Sequence, residues 1–271
     1  MSESTFIGKV AIITGSSMGI GKAIAIALGK KNVKIVLNGR NQERLNNTAN
    51  ELRSLGFDIL SIQGDVGIYK DCENLVEQTI KKYGVIDILV NNAGLAMEGS
   101  IANTTPEVFE KVFHTNILGV LFPTKAALPH LIKSKGSVVF TGSIAGFIGL
   151  PNYSAYSASK MSLTALVQSL KIELADTGVH VGINYVGFVE NDDNKTYLNQ
   201  QGEIEKMPVR DQFKRMPLER VAAHFVNGIE KRNYKQTLSL LGKLTNFVHR
   251  YFPQIFEWIM IRKHLKQTKS L

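Results

Sequence analysis

Short runs of β-branched and other apolar residues alternate along this chain with longer stretches whose apolar positions recur every three or four residues. The short runs are Val10–Thr14, Val33–Asn38, Ile59–Gln63, Ile86–Val90, Ser137–Thr141 and Val179–Asn184. Apolar on successive residues, they predict strands covered on both faces. Between them, Gly21–Lys30, Gln42–Leu55, Asp71–Tyr83, Pro106–Ser134 and Tyr153–Asp176 carry helical spacing. Thr105–Pro106 reads as a helix start, with proline at the first helical position. Pro123 and Pro129 are expected to kink or interrupt the stretch they occupy. Further on, Leu218–Lys231 predicts another helix and Gln236–Leu241 a seventh strand. This alternation predicts an α/β fold, a doubly wound parallel sheet of about seven strands with helices on both faces. With no linker rich in Gly, Ser or Pro and no internal repeat, residues 1–242 read as one domain. Residues 243–271 read as a C-terminal helical extension of it.

Composition narrows the class without naming it. The chain has 271 residues, 44% of them hydrophobic and 20% charged, enough for one large core and unlike a disordered or collagen-like chain. Cys72 is the only cysteine, which excludes an internal disulfide framework. Residues 1–8 include Glu3 and lack an apolar stretch, so no signal peptide is expected there. No run approaches the roughly 20 apolar residues of a membrane span. The expectation is a soluble, cytoplasmic protein. Net charge is +9, from 32 Lys+Arg against 23 Asp+Glu. Residues 243–271 hold six of those cations against Glu257 alone, a local excess of five. The basic character therefore belongs more to a tail than to the body, which argues against a nucleic-acid coat.

Thr14-Gly15-Ser16-Ser17-Met18-Gly19-Ile20-Gly21 follows the first predicted strand and opens the first helix. Glycines there permit a sharp turn and close approach of a pyrophosphate, with helix N–H groups facing the anion. The plain alternative is a turn that only packs helix on strand. A P-loop does not fit, because Ser16 stands where its first glycine belongs and Ala23 follows Lys22 where Ser or Thr is required. After the second strand come Asn38-Gly39-Arg40-Asn41, without the carboxylate that would bind an adenosine ribose and exclude a 2′-phosphate. Arg40 is a candidate partner for that phosphate, or simply a solvated arginine; the reading favours NADP(H) over NAD(H).

Two more signals fall just after strands, on the edge where open α/β sheets bind ligands. Asn91-Asn92-Ala93-Gly94 follows the fourth. Ser143 follows the fifth, and Tyr156-Ser157-Ala158-Ser159-Lys160 comes soon after. Tyr156 and Lys160, four apart, share one helix face. A free tyrosine has a pKa of about 10, and a neighbouring ammonium favours its phenolate. Such a pair alone carries little weight; behind a dinucleotide turn and a strand-end serine it carries much more.

With these residues in place the sequence resembles the short-chain dehydrogenase/reductase family, in the subgroup marked by TGxxxGxG and YxxxK. Thr14–Gly21, Asp65-Val66, Asn91–Gly94, Asn116, Ser143 and Tyr156/Lys160 follow the family's order over roughly residues 6–190. The resemblance implies a Rossmann-type sheet and a catalytic set of Asn116, Ser143, Tyr156 and Lys160. It implies that Tyr156 is the general acid/base and that Ser143 holds the substrate oxygen. Lys160 would bind the nicotinamide ribose and lower the tyrosine pKa, and Asn116 would complete a water-mediated proton path to Lys160. Gly15, Ser17, Gly19, Ile20, Gly21, Arg40, Asp65, Val66, Asn92, Ala93, Gly94 and Val189, with Tyr156 and Lys160, would contact the cofactor. No metal is implied. On the residues alone, Asn116 also reads as a helix cap or kink filler, and Asp65 as an ordinary turn aspartate. One departure stands out. The family has Pro-Gly-x-Val-x-Thr after the sixth strand, and this chain has Val186-Gly187-Phe188-Val189-Glu190-Asn191.

The substrate side is less explicit. Ile144–Pro151 is an apolar loop that either lines a pocket for a lipophilic ketone or alcohol or merely covers the sheet edge. Glu190–Met216 is polar and mixed, as a substrate lid would be. The tail places Phe247, Tyr251, Phe252, Phe256 and Trp258 within twelve residues, with Pro253 splitting any helix. Packing, as a lid or an oligomer contact, ranks first for it, an anionic membrane surface second and nucleic acid a distant third. The sequence therefore predicts an NADP(H)-dependent oxidoreductase. It would interconvert a carbonyl and a secondary alcohol on a steroid, retinoid, sphingoid or long acyl type of substrate, as a homo-dimer or homo-tetramer. The alternatives are a 3-oxoacyl thioester reductase and a non-catalytic nucleotide-binding protein on the same fold.

Overall fold

In the computed structural model, which describes residues 6–190, 195–207 and 215–268, six of the apolar runs form strands. They are β1 (Val10–Ile13), β2 (Lys34–Gly39), β3 (Ile59–Gln63), β4 (Ile88–Asn91), β5 (Ser137–Ser143) and β6 (His180–Val186). Between them run α1 (Gly19–Gly29), α2 (Gln42–Ser54), α3 (Tyr69–Tyr83), α4 (Pro106–Phe113), α5 (Gly119–Ser134) and α6 (Ser154–Glu173). A hairpin follows, β7 (Thr196–Leu198) with β8 (Ile204–Lys206), then α7 (Leu218–Glu230), β9 (Lys235–Thr237), α8 (Leu240–Tyr251) and α9 (Pro253–Thr268). The main sheet has the order β3-β2-β1-β4-β5-β6-β9, and every neighbouring pair is parallel.

Alternate residues of each strand supply the two cores, because successive side chains leave a pleated strand on opposite faces. Ile13, Leu37 and Val90 pack with Leu28, Leu45 and Phe225 from α1, α2 and α7. Ile12, Val36 and Leu89 pack with Leu75, Leu131 and Leu163 from α3, α5 and α6. The chain leaves β1 and β4 toward opposite faces of the sheet, which opens a crevice at their carboxyl ends, the switch point where such sheets take ligands.

Three elements differ from the sequence expectation. The interruption of the long helical stretch lies at His114–Leu118, a π-helical turn, and not at Pro123 or Pro129, which α5 carries inside it. Close packing accompanies the break: a Cβ on Gly119, the next residue, would come 2.7 Å from Val66 Cγ2. The seventh strand is β9, and it stops at Thr237 instead of running to Leu241. A helix cap ends it, since the Ser239 hydroxyl accepts from Gly242 N at 3.0 Å and α8 starts at Leu240. The extension thus begins three residues before Lys243. Pro253 separates its two helices as the first residue of α9, a position where its missing N–H costs nothing. The third difference is the β7–β8 hairpin, inside the polar segment expected to form a lid. It is anchored by Leu198, buried with Met97 and Val108.

Candidate active site

The glycine turn sits at the carboxyl end of β1, and its glycines are required by space as well as conformation. Gly15 has φ +60°, and a Cβ there would lie 2.8 Å from the Ala93 Cα. At Gly21 a Cβ would lie 2.4 Å from the Gly15 carbonyl oxygen and 2.5 Å from Asn92 Nδ2. Gly19 has φ +54°, and a Cβ there would meet nothing within 4 Å, so the turn faces open space at that point. Met18, the N-cap of α1, makes no side-chain capping bond, and the first turn carries no acidic residue. The positive end of the helix dipole is therefore left for an anion. Ser17 and Ile20 are half-buried in this turn. These residues fit a dinucleotide pyrophosphate. Gly21→Ala is expected to lower stability by about 1–3 kcal/mol, because the carbonyl it meets is backbone and has to move. Thermal unfolding of the variant checks this.

Asn92 ties the turn to β4. Its Nδ2 donates to the Thr14 and Gly15 carbonyls, both at 3.0 Å, and its N–H and that of Ala93 donate to Thr14 Oγ1. The two strands at the switch point are thus locked together beside the crevice. At the far end of the crevice Arg40 and Asp65 approach each other, with Arg40 Nη1 3.8 Å from Asp65 Oδ2. Both are substantially exposed, so the pair contributes little to stability and leaves the guanidinium able to exchange partners. Val66 is buried beside Asp65. Arg44, which no sequence motif singles out, also lies here, with Nη1 3.2 Å from Met18 Sδ. Its signal is the helix cap: Asn41 Oδ1 accepts from Arg44 N, placing this cation in the first turn of α2.

The second group of residues converges at the carboxyl ends of β4 and β5. Ser143 ends β5, and Tyr156 and Lys160 lie one turn apart near the start of α6. Ser143 and Tyr156 line a cavity of about 380 Å³. Lys160 lies behind, 5% exposed, with Nζ 3.2 Å from the Thr141 carbonyl and 5.9 Å from the centre of the Tyr156 ring. Burial pushes the Tyr156 phenol above its usual value, and the Ser143 hydroxyl pulls against that shift. Burial also pushes the Lys160 ammonium down to about 8. Gly94 passes close by, since a Cβ there would stand 3.4 Å from both Lys160 Nζ and Asn116 Oδ1.

Asn116 sits in the π-helical turn, fully buried. Its Oδ1 accepts from Leu95 N at 2.7 Å, and its Nδ2 donates to the Leu95 carbonyl and to Ser159 Oγ, both at 2.9 Å. Both Nδ2 protons are committed, so the side chain acts as an anchor between the β4 loop and α6.

The cavity wall is largely apolar. Ile144, Ala145, Ile148 and Leu150 form one side, and Val186 and Val189 the floor near β6. Val189 is also held by a bridge to Met216. Gly187 keeps the unusual post-β6 loop tight, a Cβ there lying 2.8 Å from Ser239 Oγ; Asn191 lies outside the described residues. Leu241 and Thr245 from α8 and Phe256 and Met260 from α9 close the cavity from above. Tyr153, which the motifs leave out, joins the rim and donates to Glu98 Oε2. It precedes Tyr156 by three residues, so the helical spacing that pairs Tyr156 with Lys160 also points to it.

The pattern of the short chain dehydrogenase family matches residues 9–202, and this chain belongs to that family. It is 39% identical over 187 residues to an 11-beta-hydroxysteroid dehydrogenase-like 4A of Arabidopsis thaliana, covering 68% of this chain and 62% of that protein. It is 31% identical over 265 residues to an 11-beta-hydroxysteroid dehydrogenase A of Arachis hypogaea, covering 93% of this chain and 74% of that one. Among solved structures, a short chain dehydrogenase/reductase from Burkholderia phymatum in complex with NAD superposes with a TM-score of 0.81 at 22% identity, over 94% of this chain and 96% of that one. That likeness establishes the shared fold. Among the described residues no helix is long and apolar enough to cross a membrane.

Proposed function

We propose that this chain is an NADP(H)-dependent oxidoreductase that interconverts a carbonyl and a secondary alcohol on a lipophilic substrate. The observation that carries the reading is the meeting of Ser143 and Tyr156 in one apolar cavity, with Lys160 buried behind them. A bound nicotinamide dinucleotide supplies or takes up the hydride. The Ser143 hydroxyl donates to the substrate oxygen and fixes it beside the Tyr156 hydroxyl. Tyr156, kept protonated by burial, gives its proton to that oxygen in reduction and takes it back in oxidation. Lys160, held by the Thr141 carbonyl, stabilises the phenolate when the proton is away. Asn116 positions the Leu95 segment against α6. Gly15, Gly19 and Gly21 would hold the pyrophosphate, Asp65 and Val66 the adenine end, and Ala93, Gly94 and Val189 the nicotinamide end.

Arg40 beside Asp65, with Arg44 close by and no carboxylate at the end of β2, supports a 2′-phosphate there. Arg40→Ala is expected to weaken NADPH about 10-fold or more, as loss of a charge-assisted contact does, and to leave NADH unchanged. Fluorescence titration with both cofactors measures it; equal loss for both would remove Arg40 from the phosphate site. The apolar cavity, and the steroid-related names of the plant relatives, support a steroid-type or other lipophilic ketone. The test is a panel of free lipophilic ketones against 3-oxoacyl thioesters with NADPH. Turnover of the ketones is expected, and turnover of the thioesters alone would overturn this substrate class. The face of α6 bearing Met161, Ala165, Gln168 and Ile172 is exposed and uncharged, which supports self-association as a dimer or tetramer.

A further inference from the structure

The two C-terminal helices expose apolar faces where water-facing helices carry polar ones. On α8, Leu240, Leu244, Phe247 and Tyr251 follow the spacing i, i+4, i+7, i+11 and form one exposed stripe. On α9, Ile255, Trp258, Ile259 and Leu265, at i, i+3, i+4 and i+10, share a second exposed face. These eight side chains are between 46% and 84% exposed. Exposed apolar side chains clustered on adjacent helices mark a contact surface.

Charge indicates which contact. The exposed cations Lys243 and Arg250 flank the α8 stripe, Arg262 and Lys266 stand among the apolar residues of the α9 face at i+7 and i+11 from Ile255, and Glu257 is the single acid of the two helices. The Arg262 guanidinium lies 4.0 Å from the centre of the Trp258 ring, and that of Arg250 5.8 Å from the Tyr251 ring. Aromatic rings beside long basic side chains are suited to a lipid interface, where the rings enter the headgroup layer and the cations reach the phosphates. A second copy of this chain is a poorer occupant, because a twofold contact would set basic patch against basic patch.

We propose that α8 and α9 seat the protein on an anionic lipid surface through these exposed faces. The opposite face of α9 gives the placement a consequence. Phe256 and Met260 roof the cavity that holds Ser143 and Tyr156, and they also line an adjoining cavity of about 430 Å³ with Pro151, His249 and Ile261. Docking therefore brings both cavities to the membrane surface, where a lipophilic substrate is concentrated. The surface itself does not depend on the catalytic reading.

The full chain would be sedimented with vesicles of phosphatidylcholine, alone or with phosphatidylserine. Binding is expected to be at least about tenfold tighter to the phosphatidylserine vesicles, and to weaken as salt screens the charges. The double variant F247E/W258E should lose at least about tenfold in that binding, with its thermal midpoint and NADPH titration unchanged. The more conservative variant R250Q/K266Q should lose the phosphatidylserine preference alone. Failure of the unaltered chain to bind, or undiminished binding by F247E/W258E, would overturn the proposal. So would equal affinity of the unaltered chain for the two kinds of vesicle. Sedimentation equilibrium showing a dimer that F247E/W258E splits would assign the face to a second copy instead.

Discussion

Replacing Tyr156 by phenylalanine is expected to cut turnover by about 10²–10⁴-fold, the usual contribution of a positioned acid–base group, while NADPH affinity stays as it was. The ring packs against a small cluster of Met97, Val108, Val112, Ala155 and Leu198, and phenylalanine keeps that packing. What is lost is one hydroxyl, the group that gives up its proton to the substrate oxygen in this mechanism, while Ser143 still holds that oxygen by a hydrogen bond. Fold and cofactor turn lie apart from it: Gly15 and Gly21 are held by Ala93 and Asn92. Steady-state rates with a lipophilic ketone, together with fluorescence titration of NADPH, separate the two effects. Retained turnover would sink the acid–base assignment. Lost NADPH binding would instead make Tyr156 part of the cofactor site's architecture.

The sheet was legible because its strands are buried on both sides, so that burial wrote a continuous apolar run for each one. Six runs match β1 to β6 to within two residues at either end. The ends were less legible where apolar residues serve a helix instead. Leu240 and Leu241 extend the apolar run after Thr237, yet Ser239 caps α8 ahead of them. The β7–β8 hairpin left no alternation to read, since Ile204–Lys206 is exposed throughout and only Leu198 is anchored. The π-helical turn at Asn116 follows from contacts between segments distant in sequence, Gly119 on Val66 and Asn116 on Leu95, which no local pattern records. In the site, spacing placed Ser143, Tyr156 and Lys160 at one strand edge. It did not reveal that Arg40 meets Asp65, a contact that arises from tertiary packing.

Lys160→Met is expected to make the protein more stable and far less active. Lys160 is 5% exposed, and burial lowers its pKa from 10.5 to about 8. A cation whose folded pKa is depressed opposes folding wherever it is protonated in both states. Below pH 8 that cost is fully present, about 3 kcal/mol from the size of the shift. Between pH 8 and 10.5 the unfolded chain holds a proton that the folded chain has released, so stability rises with pH across this window. Above it the cost is gone. Methionine keeps the straight apolar stem and removes the charge, while loss of the hydrogen bond to the Thr141 carbonyl gives back about 1 kcal/mol. At pH 7 the variant should therefore gain about 2 kcal/mol, a rise of roughly 4–8 °C in thermal midpoint. Its turnover should fall by about 10²-fold or more as the phenolate loses its neighbouring charge. Urea unfolding of both proteins from pH 7 to 10.5 measures the difference directly and cancels the groups that Lys160 does not touch. The gap should close as pH passes from 8 to 10.5. A gap that stays constant, or a variant less stable at pH 7, would show that Lys160 contributes to the fold and is not a charge held there at the fold's expense.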